Sequence, residues 1–303
     1  MLSETFRIPH ANRQIFVRRW APGGAPRATV QIAHGLAEHS ARYERLAEAL
    51  TGQNFVVYAS DHRGHGPECP AADLGFFADR DGWRACLDDL GAVHTAIKWR
   101  EKSLPRIFLG HSMGAFLGQT FIAEHGGELA AAVLSGSNGA PPTSLGLGRW
   151  IARFENWRLG LRGKSRLVQA LLFGELNKPF RPARTDFDWL SRDTREVDKY
   201  VADPLCGFDV TNSLALDLVH GLTTLGSPAL AARVPKTLPI YIFSGSRDPV
   251  GVNLKGLIGV YRRAGLQELT VKLYLDGRHE MLNETNRDEV TADLIAWLVS
   301  RLT

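Results

Sequence analysis

Arg106 to Gly118 reads R-I-F-L-G-H-S-M-G-A-F-L-G, an apolar run that stops at Gly110-His111-Ser112-Met113-Gly114 and is followed at once by a second apolar run. The first run has the length of a buried strand, and the second, Met113 to Glu124, the length of a helix. A G-x-S-x-G sequence at a strand-to-helix junction is the pattern of a nucleophile elbow. Side chains at Gly110 and Gly114 would collide with neighbouring elements, and the tight turn holds Ser112 in a strained backbone conformation. The hydroxyl is thereby pushed out at the carboxyl end of the sheet, the edge where ligands bind in open α/β folds. Taken without partners, the same residues read as glycines that ease helix packing and a serine N-cap.

Outward from this stretch the chain alternates. Strands are expected at residues 28–34, 54–60, 106–110, 129–135, 238–244 and 269–275, and helices at 43–50, 82–98, 113–124, 254–264 and 287–302. Continuously apolar strands separated by helices imply a mostly parallel sheet covered on both faces. The alternation breaks between about residues 138 and 236, where helices are expected at 149–161, 166–172, 186–192 and 213–224 and no buried strand is evident. The division that follows is a core in two parts, 1–137 and 237–303, with a helical insertion at 138–236.

A serine hydroxyl needs a base to take its proton, and the base needs an acid to orient it. In an α/β architecture the chain order of these groups is Ser, Asp or Glu, then His. Asp248 follows the strand L-P-I-Y-I-F-S in S-G-S-R-D-P-V, and His279 follows L-T-V-K-L-Y-L in D-G-R-H-E-M-L-N-E. Each lies just past a strand, on the required edge. Asp276 is a weaker candidate because it shares a loop with His279, and His220 precedes Asp248 in the chain. Negative charge developing on a tetrahedral intermediate needs two backbone N–H donors. Met113, after the serine, is one candidate, and Leu36 in His34-Gly35-Leu36-Ala37-Glu38-His39-Ser40 is the other.

In H-G-L-A-E-H-S-A-R-Y, D-H-R-G-H-G, G-H-S-M-G, S-G-S-R-D-P-V and G-R-H-E-M-L-N-E, taken in this order, the chain resembles α/β-hydrolases of the monoacylglycerol lipase and lysophospholipase type, often labelled serine aminopeptidase S33-like. The resemblance covers nearly the whole chain. It implies the α/β-hydrolase fold with a helical cap at 138–236, Ser112 as nucleophile, Asp248 as acid, His279 as base, and Leu36 and Met113 as the oxyanion hole. It also implies ester or lipid substrates, with the cap as the family's most variable part.

A cap over such a site makes an enclosed apolar pocket suited to an acyl chain. The aromatics Trp150, Phe154, Trp157, Phe173, Phe180, Phe187 and Trp189 serve either that pocket or the cap's own small core. Arg149 to Arg184 holds nine basic residues against Glu155 and Glu175 as the only acids, so contact with an anionic lipid surface stands beside the plainer reading of a solvated face.

Of the 303 residues, 44% are apolar and 22% charged, with a net charge of +4. That is an ordinary globular composition, and the small excess gives no reason to expect a nucleic-acid partner. The opening residues have no secretory leader pattern and no apolar window reaches membrane-span length, so a cytoplasmic protein is expected. Cys69, Cys86 and Cys206 lie far apart and read as reduced thiols. His279-Glu280 does not continue to a second histidine, since Asn283 stands there, and D-H-R-G-H-G does not complete a dinucleotide fingerprint; no metal or organic cofactor is expected. His34, His39, His62, His65 and His111 read as structural.

These residues specify an acyl-enzyme mechanism without naming the substrate. Monoacylglycerol or lysophospholipid, short-chain esters, and amides or peptides all suit the same triad. A dehalogenase or epoxide hydrolase needs an aspartate where Ser112 stands. A non-catalytic binder on this fold is expected to have lost a triad member, and none is missing.

Overall fold

The computed structural model describes residues 1–141 and 145–302. The chain opens with an antiparallel hairpin, β1 (Leu2–His10) and β2 (Arg13–Ala21). No strand is expected there from pattern alone, because β1 is an exposed edge and only Ile15, Val17, Trp20 and Ala21 of β2 turn inward.

From β3 onward the strands are parallel. They are β3 (Ala28–Ala33), β4 (Phe55–Ser60), β5 (Arg106–His111), β6 (Ala131–Ser135), β7 (Ile240–Gly245) and β8 (Leu269–Tyr274). The eight-stranded sheet has the order β1-β2-β4-β3-β5-β6-β7-β8. The helices are α1 (Glu44–Thr51), α2 (Gly82–Arg100), α3 (Met113–His125), α4 (Leu145–Leu159), α5 (Arg166–Phe173), α6 (Thr194–Ala202), α7 (Asn212–Leu222), α8 (Pro228–Arg233), α9 (Leu254–Arg263) and α10 (Arg287–Val299).

Strand periodicity explains why the central strands are apolar at almost every position. Phe108, Leu134, Ile240 and Ile242 point to the face covered by α2, α3 and α9, where they meet Leu87, Leu117, Phe121 and Leu257. Their neighbours Ile107, Leu109, Val133, Tyr241 and Phe243 point to the opposite face and meet Leu46 and Leu50 of α1 and Leu294 and Leu298 of α10. Both faces are dry, so alternation disappears from the sequence.

Between β6 and β7 the chain leaves the sheet for α4 to α8. The helix expected at 186–192 does not form. That segment is a series of turns, and the helix starts later at Thr194, where the Asp193 carboxylate accepts the Arg195 N–H at 3.0 Å. The helix α8, with Ser227 as its cap and Pro228 in its first turn, is an addition to the expected set. Leu214, Leu218, Ala231 and Val234 of the second half of the insertion join the same apolar cluster as the core helices.

Candidate active site

Ser112 sits between the end of β5 and the start of α3 with φ +52° and ψ −119°, a region that L residues avoid. The turn can be this tight because its flanks lack side chains. A Cβ at Gly110 would run into the backbone of Gly114 and Ala115, and one at Gly114 would run into the carbonyls of Ala33 and His34. The Ser112 N–H is held by the Ser135 carbonyl at 2.9 Å, which fixes the turn against β6.

β3, β5, β7 and β8 end on the same edge of the sheet, and their following loops converge there. His279, after β8, is 1% exposed. Its Nδ1 lies 2.9 Å from Asp248 Oδ1, after β7. Asp248 also accepts the Val250 N–H at 2.9 Å and the Ser244 hydroxyl at 2.6 Å. Burial pushes the Asp248 carboxyl up, but the His279 charge and these donors outweigh it and hold it below the ordinary carboxylate value. Burial likewise pushes His279 down, yet the Asp248 charge and hydrogen bond carry it above an ordinary imidazole. With Nδ1 donating to Asp248, Nε2 is the basic nitrogen, and it has no partner among the described residues.

The loop after β3 passes against the serine: a Cβ placed on Gly35 would lie 3.2 Å from Ser112 Cβ. Its donors are unequally used. The Gly35 N–H donates to Glu38 and the Ala37 N–H to His65 Nε2 at 3.1 Å. Among the described residues, the N–H groups of Leu36 and Met113 have no such partner.

Ser112, His279, Leu36 and Met113 line one cavity of about 840 Å³. Its other walls come largely from the insertion, including Leu172, Phe173, Phe187 and Trp189, with Leu218 and Leu222 of α7. The Trp189 ring lies 5.1 Å from the His279 ring. Of the aromatics of the insertion, Phe180 and Trp189 are buried with Tyr200, whereas Trp150, Phe154 and Trp157 of α4 face outward at 70%, 54% and 80% exposure. Asp276 is exposed at φ +57° and His220 is exposed, so neither sits with the buried pair.

Sequence reasoning assigned no role to a buried ionic clamp beside the site. The Arg42 guanidinium binds both oxygens of Glu280, at 2.6 and 2.7 Å, and Glu38 at 2.6 Å. Glu38 holds the Gly35 N–H, and Glu280 follows His279, so one arginine joins the loop after β3 to the loop after β8. Burial alone would raise Glu280; the Arg42 charge and hydrogen bonds outweigh it and hold the carboxyl well below the ordinary carboxylate range. The available signal was an acid and a base four residues apart, Glu38 and Arg42, inside a loop between apolar elements.

Of the histidines expected to be structural, His34, His62, His65 and His111 are buried and kept neutral. His34 Nδ1–H donates to the Gly35 carbonyl at 2.7 Å, and its Nε2 accepts the His62 N–H at 3.0 Å. Burial pushes His34 well below the ordinary imidazole value, His62 to about 3 and His65 to about 4. Asp61 accepts the Ser40 N–H at 2.7 Å, so D-H-R-G-H-G ties down the loop that carries Leu36.

Residues 24–286 match the family described as serine aminopeptidase, S33 (Hydrolase_4). The chain belongs to this family. It is 28% identical to the monoacylglycerol lipase of Mycolicibacterium smegmatis over 292 residues, which are 93% of this chain and 92% of that protein. It is 29% identical to the monoglyceride lipase of Homo sapiens over 290 residues, 91% of this chain and 84% of that protein. Among solved structures, a thermostable carboxyl esterase from Bacillus coagulans superposes with a TM-score of 0.90 at 25% identity, covering all of both chains. The fold is thus the α/β-hydrolase fold.

Proposed function

We propose that this S33-family chain is a serine hydrolase that cleaves carboxylic esters through an acyl-enzyme on Ser112, with monoacylglycerol as the substrate class. The observation that carries the reading is His279, held through Nδ1 by Asp248 and bare at Nε2, in the same cavity as Ser112.

Ser112 Oγ attacks the ester carbonyl carbon while His279 Nε2 takes its proton. The carbonyl oxygen becomes an oxyanion that accepts the N–H groups of Leu36 and Met113. Collapse of the intermediate breaks the bond to the alkoxy oxygen, and the imidazolium returns the proton to the departing alcohol. A water then repeats the sequence on the acyl-enzyme, with His279 as base, and frees the carboxylic acid and the serine. Asp248 keeps the imidazole tautomer and stabilises the imidazolium throughout. The apolar wall of Leu172, Phe173, Leu218 and Leu222 suits an acyl chain.

Residues 138–236 act as the cap in this reading. On α4, Leu147, Trp150, Phe154 and Trp157 recur every three or four residues and are all exposed, flanked by Arg149, Arg153 and Arg158. Such a stripe supports docking of a cytoplasmic enzyme on a lipid surface to collect its substrate. Among the described residues no helix is long and apolar enough to cross a membrane. A second reading, hydrolysis of short-chain esters, draws support from the likeness to the carboxyl esterase.

The test is hydrolysis of p-nitrophenyl esters of graded chain length, with monoacylglycerol and lysophosphatidylcholine in parallel, and labelling by a fluorophosphonate probe. Release of fatty acid from monoacylglycerol, with both turnover and labelling lost in Ser112→Ala, is the expected result. Cleavage of short esters alone favours the second reading, and an unlabelled wild type defeats both.

A further inference from the structure

Three side chains with metal-binding atoms converge in the seam between the core and the insertion, beside the cavity and outside the proposed triad. His39 follows the loop that carries Leu36, while Asp203 and Cys206 follow α6. His39 Nε2 lies 2.9 Å from Asp203 Oδ2, and one ligand atom from each of the three residues lies within 4.8 Å of the others. We propose that His39, Asp203 and Cys206 bind a divalent transition-metal ion of the zinc type, joining the insertion to the loop after β3.

The donor set selects the ion. An imidazole nitrogen, a carboxylate oxygen and a sulfur suit zinc, whereas magnesium and calcium take oxygen ligands. Zinc holds such atoms at about 2.0 to 2.3 Å and so about 3.5 Å from one another; His39 Nε2 and Asp203 Oδ2 must open from 2.9 Å, and the sulfur must come within about that distance of both. Small side-chain rotations accomplish this, because the frame is already anchored. Asp203 Oδ1 accepts the Leu205 N–H at 2.8 Å, which leaves Oδ2 turned to His39. The Cys206 N–H bonds the Asp203 carbonyl at 2.9 Å, folding the thiol back over the carboxylate. Across the seam, the Ala37 carbonyl accepts the Gly207 N–H at 2.9 Å and the Tyr200 hydroxyl at 2.8 Å.

Entry is from the Asp203 side, whose side chain is 33% exposed while that of His39 is 9% exposed. Three protein ligands leave a fourth tetrahedral position for water. The proton balance is complete: the metal takes the Nε2 lone pair of His39 with the ring proton on Nδ1, and the Cys206 thiol proton leaves to solvent. Nδ1 is a buried atom with no partner among the described residues, free to carry that proton. Carboxylate and thiolate together offset the two positive charges of the ion. The nearby Arg42 does not oppose it, because Glu38 and Glu280 already neutralise that guanidinium.

The experiment uses the untagged full-length chain, reduced and stripped of metal, titrated with Co²⁺ and followed by thiolate-to-cobalt charge-transfer absorbance, with Zn²⁺ as competitor. One-to-one uptake with a charge-transfer band that Zn²⁺ displaces is expected. Cys206→Ser should abolish the band, and both Cys206→Ser and Asp203→Asn should weaken Zn²⁺ binding by about 100-fold or more. Asp203→Asn keeps the band, so it reads the site even where Cys206→Ser fails to fold, as checked by circular dichroism. No saturable uptake at a few equivalents of metal overturns the proposal. So does a band that survives in Cys206→Ser, which would place the metal on Cys69 or Cys86.

Discussion

Replacing Asp248 with asparagine removes one charge from a buried pair and is expected to change almost nothing else. Asp248 Oδ1 accepts from both His279 Nδ1 and the Val250 N–H, so the amide oxygen is held on that side by two donors. The new amide NH₂ then faces Ser244, whose hydroxyl rotates from donor to acceptor. The imidazole tautomer survives, and the loss is the attraction between carboxylate and imidazolium in the transition state. For charge centres about 4 Å apart at an effective dielectric of about 20, that attraction is about 4 kcal/mol, or about 10³-fold in rate. The pH profile should move as well. On the proposed mechanism turnover needs neutral His279, whose pKa the Asp248 charge raises above that of an ordinary imidazole, so the acid limb of kcat/KM lies above the range of a free imidazole. With the Asp248 charge gone, burial is less opposed and the acid limb shifts to lower pH. The assay is kcat/KM for a soluble p-nitrophenyl ester from pH 5 to 9, normalised to folded protein by circular dichroism. A loss below about tenfold, or an acid limb that stays in place, would refute the pairing as the source of catalytic power.

Three further outcomes are expected. Between pH 7 and 5 thermal stability should fall, because His62, His65 and His111 have folded pKa values of about 3, 4 and 4 and stay neutral while the unfolded chain takes up protons. Each contributes a penalty of about 2 kcal/mol at pH 5, partly offset by His279, whose raised pKa works in the opposite direction; an unchanged melting temperature in calorimetry would contradict their neutrality. Gly114→Ala drives a methyl group into the backbone of β3 and should cost more than about 3 kcal/mol, seen as a lowered Tm or loss of soluble protein; a variant melting within 2 °C of wild type would contradict the tight elbow. The double variant Trp150→Glu, Trp157→Glu should lose sedimentation with anionic vesicles while turnover of a soluble short-chain ester stays within about twofold, and vesicle binding equal to wild type would show that α4 is not the docking face.

Much of this was legible from local pattern. Residues 106–118 announced a strand, a turn and a helix because a buried parallel strand must be apolar on both faces and an elbow must lack side chains beside its serine. Asp248 and His279 were legible for a related reason: both follow apolar strands, and parallel strands deliver the residues after them to one edge. The hairpin β1–β2 was not, since its inward face is short: Phe6 and Ile8 of the edge strand are only partly buried, and Ile15, Val17 and Trp20 of β2 stand among Arg13, Gln14, Arg18 and Arg19. The misplaced helix at 186–192 failed similarly. Trp189 and Leu190 are buried, but their backbone runs along the His279 loop, with the Glu280 N–H donating to the Leu190 carbonyl at 2.8 Å, instead of bonding within a helix.

The sequence by itself determined the order of the layers, the strained serine, and which three side chains share an edge, because each of these follows from hydrophobic periodicity and backbone sterics within a few residues. Only the tertiary structure decided that Arg42 joins Glu38 to Glu280, that His39 faces Asp203 and Cys206, and that the aromatics of α4 point outward while Trp189 covers His279. Those facts depend on which surfaces meet after the chain has folded across separations of up to 238 residues, and no local pattern carries that information.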